Sequence, residues 1–362
     1  FLLALGAIAL SAGGYWWATR PTPAPIVEPI ALSEDPPVPD GPAWFRETTA
    51  DSGVDFTYRN GEEADEFTIL ESVGGGVGMI DFDGDGLLDL FFPGGGYFEK
   101  QQIKGHPCKL YKNLGNWKFR DVTAEVGLDK IDSYSHGCAV ADYDKDGWPD
   151  LLVTGYGRAV LFRNAPVEGK KDERRFVDVT AKAGIRDSSW STSAGWADLT
   201  GSGYPDLYIC HYCDWSFANN PICKSKDADS TRDVCPPQQF KPLVHALYRN
   251  NGDGTFRDVT KELKLREDGC GLGVVFADFR NDAKPGIYVA NDATNNHFYA
   301  NAGDGKLEEK ALRAGIAVDE HGMYNGSMGV DVADYDGSGR ASLFVTNFQG
   351  EVHALYRNLG QD

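Results

Sequence analysis

The sequence predicts an all-β protein, a β-propeller of four-stranded blades preceded by an apolar N-terminal helix. Three observations lead to this prediction. Two sequence blocks recur along the chain, and each pair of blocks holds four short apolar runs separated by Gly, Asn and Asp turns. The repeat length is about 56 to 61 residues, apart from one longer interval, which is typical of a repeat array. A β-helix would have shorter and more uniform coils, and a β-sandwich would not repeat so regularly.

The first block is a strand rich in small residues, an Asp-containing loop and a second strand. Its copies read GGGVGMIDFDGDGLLDLFF from 74, HGCAVADYDKDGWPDLLVT from 136, SAGWADLTGSGYPDLYI from 193, GLGVVFADFRNDAKPGIYVA from 271 and MGVDVADYDGSGRASLFVT from 328. Five copies predict five visible blades.

The second block supplies the third and fourth strands. It reads KLYKNLGNWKFRDVTAEVGL from 109 and returns from 160, 246 and 297, and the chain ends within the last copy, ALYRNLGQD. Residues 44–58, WFRETTADSGVDFTY, match the end of this block, so we expect them to supply the strand that closes the ring. The ring has either these five blades or more. Because the chain begins with Phe1 and ends inside a motif, we expect a fragment of a larger ring.

The first 43 residues differ from the rest. Residues 1–18, FLLALGAIALSAGGYWWA, carry no charge and end in aromatic residues before Arg20, which favours a transmembrane anchor. A cleaved signal peptide is the main alternative, and a buried helix is a third. Residues 19–43 are rich in proline and predict an extended linker, so the propeller domain is placed at 44–362. Anchor and signal peptide both put this domain outside the cytoplasm, periplasmic or at the cell surface, membrane-anchored or secreted.

The first Asp loop has the spacing of a calcium loop. Carboxylates stand at positions 1, 3, 5 and 9, with Gly86 at position 6, where a left-handed bend wraps the chain. Ordinary Asp-Gly turns account for one or two aspartates but not for four at odd positions. The predicted ligands are Asp81, Asp83, Asp85, the Leu87 carbonyl and Asp89 in the first loop, and Asp142, Asp144, Asp146, the Trp148 carbonyl and Asp150 in the second.

The remaining loops depart from this spacing. The third keeps Asp198 and Asp206 but has Thr200 and Ser202, and the fifth keeps Asp334 and Asp336 with Ser338 and Ser342, so both predict partial sites. In the fourth loop Arg280 stands at position 3 and Gly286 at position 9, and we expect the arginine to replace the ion. The predicted cofactor is therefore Ca²⁺ in two complete and two partial sites. Mg²⁺ favours a smaller octahedral shell, and transition metals would call for His or Cys ligands.

These motifs resemble those of a known family. The DFDGDGLLDL loop, the LYRNNGDGTFRDVT block and the Gly-rich strand before each loop resemble FG-GAP/VCBS repeats, the calcium-binding blades of integrin-α-type propellers. From about residue 44 the chain is similar to bacterial relatives of the cartilage acidic protein family. That resemblance implies a seven-bladed ring, often followed by an ASPIC/UnbV domain, of which five blades are visible here.

The cysteines and histidines give little sign of catalysis. We expect a Cys223–Cys235 disulfide to close the long polar insertion of the third blade, because an extracytoplasmic location permits disulfides. The C-x-x-C pair, Cys210 and Cys213, lacks the partners of a haem or zinc site. The chain contains no HExxH, GxSxG or P-loop motif, and calcium binding already explains its paired carboxylates. The sequence therefore predicts that the protein is not an enzyme.

The net charge of −19 argues against a nucleic-acid partner, which would need clustered Lys and Arg. The resulting prediction is a calcium-binding, membrane-tethered extracytoplasmic propeller that acts as a protein- or glycan-interaction module. Its candidate contact surface is the third-blade insertion with Trp215, Phe217 and Phe240; the same insertion could instead be a disulfide-pinned lid with no partner. A hydrolase or lyase with an active site in the channel and a purely structural envelope protein are the other hypotheses.

Overall fold

The computed structural model describes residues 45–225 and 231–360. The predicted anchor or signal peptide at 1–18 and the linker at 19–43 lie outside these residues. The chain divides into two units, Phe1–Arg46 and Glu47–Asp362. Of the first unit only Phe45 and Arg46 are described, and both are exposed.

The second unit is built almost entirely from strands. In chain order they are β1 (Gly78–Ile80), β2 (Asp89–Phe92), β3 (Gly96–Glu99), β4 (Gln102–Gly105), β5 (Lys109–Asn113), β6 (Phe119–Asp121), β7 (Ser135–Ala141), β8 (Asp150–Gly155), β9 (Val160–Val167), β10 (Lys170–Asp178), β11 (Ser191–Ala197), β12 (Asp206–His211), β13 (Ala246–Asn250), β14 (Phe256–Asp258), β15 (Gly271–Ala277), β16 (Gly286–Asn291), β17 (His297–Gly303), β18 (Lys306–Glu309), β19 (Ser327–Ala333), β20 (Ser342–Asn347) and β21 (Ala354–Tyr356). The helical segments are single turns: α1 (Thr49–Ser52), α2 (Ala311–Ala314) and the 3-10 turns Glu62–Ala64, Ile69–Ser72 and Pro237–Gln239.

These strands form the blades of a five-bladed propeller, as the repeats predict. Four antiparallel sheets have four strands each, in the orders β1-β2-β5-β6, β7-β8-β9-β10, β11-β12-β13-β14 and β15-β16-β17-β18. The fifth sheet has three described strands, β19-β20-β21, and β3 and β4 form a separate hairpin between the strands of the first blade. The first strands of successive blades contact one another in chain order, from β1 to β19. The all-β propeller prediction is confirmed.

The core lies between blades. Strands β8, β12 and β16 are buried along their whole length, because a neighbouring blade covers each face of their sheets. A typical inter-blade cluster joins Ile80 and Leu110 of the first blade to Leu151 and Phe162 of the second. The two end blades also expose apolar side chains, including Met79 at 62% and Phe344 at 43%.

The strand expected at 44–58 to close the ring does not form in the described structure. Phe45–Glu47, which match an outer strand in the repeat, are in no strand, and α1 follows them. This turn ends at Gly53, whose φ of 88° is left-handed, and Ser52 donates to the Thr49 carbonyl at 2.8 Å. Farther along, the Phe56 ring stacks on Phe92 of β2 at 4.8 Å. The prediction was wrong for these residues because the segment lies against the first blade rather than beside β21: the Tyr111 hydroxyl donates to the Asp55 carbonyl, and the Lys118 ammonium donates to the Asp51 carbonyl.

Candidate metal centres

The first Asp loop connects β1 to β2, as the repeat predicts. Gly84 and Gly86 take left-handed φ values of 72° and 84°, which turn the chain back on itself. The Asp81 carboxylate sits inside this turn and accepts the backbone N–H groups of Asp85 at 3.1 Å and Gly86 at 3.0 Å. Asp81 therefore holds the loop in its wrapped form.

Asp89 ties the loop to the sheet. Its side chain is fully buried and accepts the N–H of Phe82 at 3.1 Å and that of Asn113 in β5 at 2.7 Å. Burial raises the pKa of Asp89 to about 6, although these two hydrogen bonds act in the opposite direction. A positive charge beside Asp89 would favour its ionised form.

Three carboxylates of this loop converge. Asp81, Asp83 and Asp89 each offer an oxygen, and these oxygens all lie within 4.8 Å of one another. The Oδ1 atom of Asp83 is buried and has no hydrogen-bond partner in the described structure. A set of carboxylate oxygens with one buried oxygen unpartnered fits a hard divalent cation.

Lys112 of β5 reaches the same loop. Its ammonium group donates to Asp83 and lies 3.1 Å from Asp85. The strand cation thus contacts the carboxylates at loop positions 3 and 5. Leu87 donates its N–H to Asp85 at 2.9 Å, and the predicted role of its carbonyl as a ligand stays a prediction.

The second loop repeats this arrangement between β7 and β8. Oxygens of Asp142, Asp144 and Asp146 lie within 4.8 Å of one another. Asp150 is buried and accepts the N–H groups of Tyr143 at 3.2 Å and Asn164 at 2.8 Å. Burial raises its pKa to about 8.

A strand cation also enters the second loop. The Arg163 guanidinium on β9 donates to Asp144 at 2.6 Å and to Asp146 at 2.7 Å. The Arg174 guanidinium lies over the Trp148 ring, with its Cζ atom 4.0 Å from the ring centroid. The predicted role of the Trp148 carbonyl as a ligand stays a prediction.

The other three loops keep the wrap but have fewer carboxylates. Asp198 accepts the N–H groups of Ser202 and Gly203, at 3.0 and 2.7 Å, and Thr200 donates to Asp198. Asp206 is buried and keeps its bonds to Leu199 and Asn250. Within the described residues, these loops bring no three acidic groups together as the first two do.

In the fifth loop Asp334 accepts the N–H groups of Ser338 and Gly339, both at 2.9 Å. Asp336 pairs with Arg357 of the block that contains β21, at 2.8 Å. In the fourth loop Arg280 pairs with Asp282 at 2.7 Å and donates to the Asn301 carbonyl. This contact is compatible with the expectation that Arg280 takes the place of an ion.

A repeated asparagine links neighbouring blades, and sequence reasoning missed it. The side-chain amides of four asparagines donate, at 2.8 to 2.9 Å, to the position-2 carbonyl of the preceding blade's Asp loop. The pairs are Asn164 with Phe82, Asn250 with Tyr143, Asn301 with Leu199, and Asn358 with Phe279. The signal was present in the sequence, since in every copy of the second block an Asn stands two residues after the Tyr or Phe.

A disulfide closes the third-blade insertion, and its aromatic side chains are buried rather than exposed. Cys223 and Cys235 form a disulfide with their Cα atoms 5.3 Å apart. Trp215 is only 2% exposed and Phe240 only 7%, and partly buried Phe217 packs in the same cluster. The expectation that these rings form a contact surface was wrong, because the β3–β4 hairpin and the ends of neighbouring blades cover them.

The other cysteines and histidines near this face are core residues. Cys210, Cys213 and Cys270 are buried free thiols, and burial raises the pKa of Cys210 and Cys270 to about 12. His245 is 1% exposed and its Nδ1 atom lies 2.8 Å from the Tyr208 hydroxyl. Within the described residues no Cys or His joins a three-residue metal cluster.

A groove of about 490 Å³ lies at the outer edge of the first two blades. Its floor includes Val160 and Phe162 of β9, and its walls carry the cations Lys130, Arg158 and Arg175. Arg158 faces two aspartates, Asp132 at 3.7 Å and Asp178 at 3.6 Å. Within the described structure Lys130 and Arg175 form no hydrogen bond or ion pair.

In the part of the chain that the structure describes, no helix has the length and apolar character needed to cross a membrane.

Comparison with known proteins finds a repeat family that includes the Asp loops. The FG-GAP-like repeat model matches residues 81–153 and 142–209, which contain the first three Asp loops. Cartilage acidic protein 1 of Xenopus tropicalis is 22% identical over 231 residues, 61% of this chain and 32% of that protein. Integrin alpha-7 of Rattus norvegicus is 26% identical over 153 residues, 40% of this chain and 13% of that protein. The chain thus spans about a third or less of the length of these relatives.

Among solved structures, an Agrocybe aegerita lectin that recognises non-reducing terminal N-acetylglucosamine is 16% identical, with a TM-score of 0.34. The match covers 80% of this chain and 81% of the lectin.

Proposed function

Since the chain is a relative of the FG-GAP β-propeller proteins, we propose that it is an extracytoplasmic propeller whose first two Asp loops bind calcium. The ion would join the two strands that flank each loop and so stabilise the blades. The protein would then act as a scaffold that holds a ligand-binding surface outside the cytoplasm.

One observation carries the calcium proposal: three carboxylate oxygens meet in each of these two loops, and no described Cys or His joins them. Hard oxygen donors without nitrogen or sulfur favour calcium over transition metals. Asp81, Asp83 and Asp89 would hold the first ion, with Asp85 and the Leu87 carbonyl as further ligands. In the second loop Asp150 and the Trp148 carbonyl would complete the set of Asp142, Asp144 and Asp146.

The direct test is calcium titration by calorimetry on the chelator-treated protein. We expect at least two ions per chain, and the D83N/D144N double variant should lose both. D129N is the matched control, because Asp129 is exposed and lies outside the Asp loops. Equal binding by the double variant and the parent would contradict the assignment, and absence of binding by the parent would contradict calcium altogether.

An extracytoplasmic location is part of the proposal. The Cys223–Cys235 disulfide supports it, since such bonds persist in oxidising compartments. The uncharged residues 1–18 would serve as a membrane anchor or signal peptide. The location can be tested by cell fractionation of the full chain with a reporter enzyme fused after Asp362. If a reporter that is active only in the cytoplasm shows activity in this fusion, the extracytoplasmic location is contradicted.

The groove beside the first two blades favours a ligand with a negative charge. Lys130 and Arg175 have no ion-pair partner among the described residues, in a chain whose net charge is −19. Asp132 and Asp178 can accept hydroxyl groups, and the exposed Val177 side chain in the lining can contact the face of a sugar ring. We assign this groove to a carboxylate-bearing glycan rather than to a neutral one.

Binding of oligogalacturonate and of a neutral maltooligosaccharide, measured by calorimetry, tests the assignment. We expect affinity for the acidic oligomer only, reduced about tenfold in R175Q and K130Q. K182Q, at an exposed lysine outside the groove, should bind as the parent does. Binding of a poly-glutamate peptide in place of the sugar would reassign the groove to a protein partner.

The proposal includes no catalytic activity. The buried thiols of Cys210 and Cys270, with pKa values raised to about 12, would supply no thiolate near neutral pH. Turnover of an acidic oligosaccharide by the purified protein would contradict this part of the proposal.

A further inference from the structure

The residue before the repeated asparagine is basic in four of the five blades. The five residues at this position are Lys112, Arg163, Arg249, Ala300 and Arg357. In each blade this position faces the Asp loop, because the third strand pairs with the second strand, which begins at the end of the loop.

In three blades the basic strand residue pairs with every carboxylate at loop positions 3 and 5. Lys112 contacts both Asp83 and Asp85, and Arg357 contacts Asp336, the single carboxylate at these positions in the fifth loop. Arg163 contacts both equivalents in the second loop. The pairing is therefore a repeated feature of the blades.

In the two remaining blades, as the structure describes them, the strand residue does not pair with the loop, and the loop sequence of each differs at position 3. In the third loop positions 3 and 5 are Thr200 and Ser202, and Arg249 turns instead to the Gly305 carbonyl at 3.4 Å. In the fourth blade the strand position is Ala300, and the cation comes from the loop itself as Arg280. The strand position lacks its cation in the one blade whose loop has a basic residue at position 3.

We propose that Lys112 and Arg163 are counter-cations that compete with the divalent ion for the position-3 and position-5 carboxylates, and thereby set the loops' affinity for it. This inference rests on the proposed calcium binding. Asp83 and Asp85 cannot give their full charge to an ion while they hold the Lys112 ammonium, so binding requires that this pair loosen.

The same contact has a second consequence for the metal-free protein. Lys112 joins β5 to the β1–β2 loop, and Arg163 joins β9 to the β7–β8 loop. Lys112 is 25% exposed and Asp83 17%, so this pair is partly shielded from water. Each cation holds its loop against the third strand of its own blade when no metal is bound.

The test measures calcium affinity by calorimetry on the full chain, in a D144N background that leaves the first loop as the complete site. K112M removes the charge and keeps the chain length, and we expect its Kd to fall about tenfold, equivalent to about 1.4 kcal/mol. K109M is the matched control: Lys109 lies on the same strand, but its ammonium pairs with Asp121 at 2.6 Å. R163M in a D83N background tests the second loop independently.

The outcomes are distinguishable. A lower Kd for K112M than for K109M supports competition, whereas an equal or higher Kd overturns it while calcium binding itself stands. Absence of calcium binding by the parent and all variants overturns the calcium proposal and this inference with it. In chelator K112M should melt about 1–2 °C below K109M, and an equal or higher melting temperature would show that Lys112 does not hold the metal-free loop.

Discussion

Replacing Trp215 by alanine tests whether the third-blade insertion is core or contact surface. The side chain is 2% exposed, and its ring lies 5.3 Å from Phe217, 5.7 Å from Tyr156 and 6.3 Å from Trp190 between centroids. Truncation of a buried Trp costs about 3–5 kcal/mol, because the transfer free energy is lost and a cavity remains. At about 2 °C per kcal/mol for a chain of this size, Tm should fall by about 6–10 °C.

The assay is thermal and urea unfolding in saturating calcium. Ile222→Ala is the matched control, since Ile222 is apolar, lies in the same insertion and is 78% exposed; its effect should stay within about 0.5 kcal/mol. The thiol of Cys213, buried in the same cluster, gives a second readout, because it should be alkylated faster in W215A. If W215A has the same melting temperature as I222A and instead loses a bound partner, the burial argument is wrong and Trp215 is a contact residue.

Three further predictions follow from the same structure. Chelation should lower Tm by several degrees, because each proposed site at a calcium concentration of 100 Kd would add about 2.7 kcal/mol to the free energy of unfolding; an unchanged melt after confirmed metal removal would contradict this. His136 accepts the Trp190 indole N–H at 2.9 Å, and burial lowers its pKa from 6.5 to about 4. The unfolded chain therefore binds a proton at this histidine more readily than the folded chain, and the free energy of unfolding should fall by about 3 kcal/mol as the pH falls from 6.5 towards 4. In a series of melts at different pH, H136Q should reduce this fall, while H321Q, at an exposed histidine, should not. Asn250→Ala should lose about 1–3 kcal/mol in urea unfolding, because the Tyr143 and Pro205 carbonyls lose their donor, and the exposed Asn251→Ala should be near neutral.

The repeat made the fold predictable, because the blade is a local unit. Each loop and its two flanking strands lie within some twenty consecutive residues, and the alternation of apolar runs with Gly/Asp turns is visible at that range. The same locality made the convergence of three carboxylates in each of the first two loops predictable. The closing strand failed for the opposite reason, since it depends on pairing with a sheet about 300 residues away.

The burial of Trp215 and the asparagine links depend on contacts between distant parts of the chain. Trp215 is covered partly by Phe98 of the β3–β4 hairpin, more than a hundred residues earlier. Asn250 donates to Tyr143, which is 107 residues away. An isolated aromatic insertion looks like a surface, and a repeated Asn looks like a turn former, until the packing of neighbouring blades is known.

Comparison of the five loops separates the carboxylates that fold a loop from those that remain for an ion. In every loop the first Asp accepts the N–H groups four and five positions later, at 2.7 to 3.1 Å. The wrap is the same with Thr200 and Ser202 at positions 3 and 5 as with Asp83 and Asp85. Folding of the loop therefore does not require carboxylates at these positions. Two loops nevertheless keep a carboxylate at both, beside a single strand cation, and the proposed binding of a divalent ion would explain that surplus of negative charge.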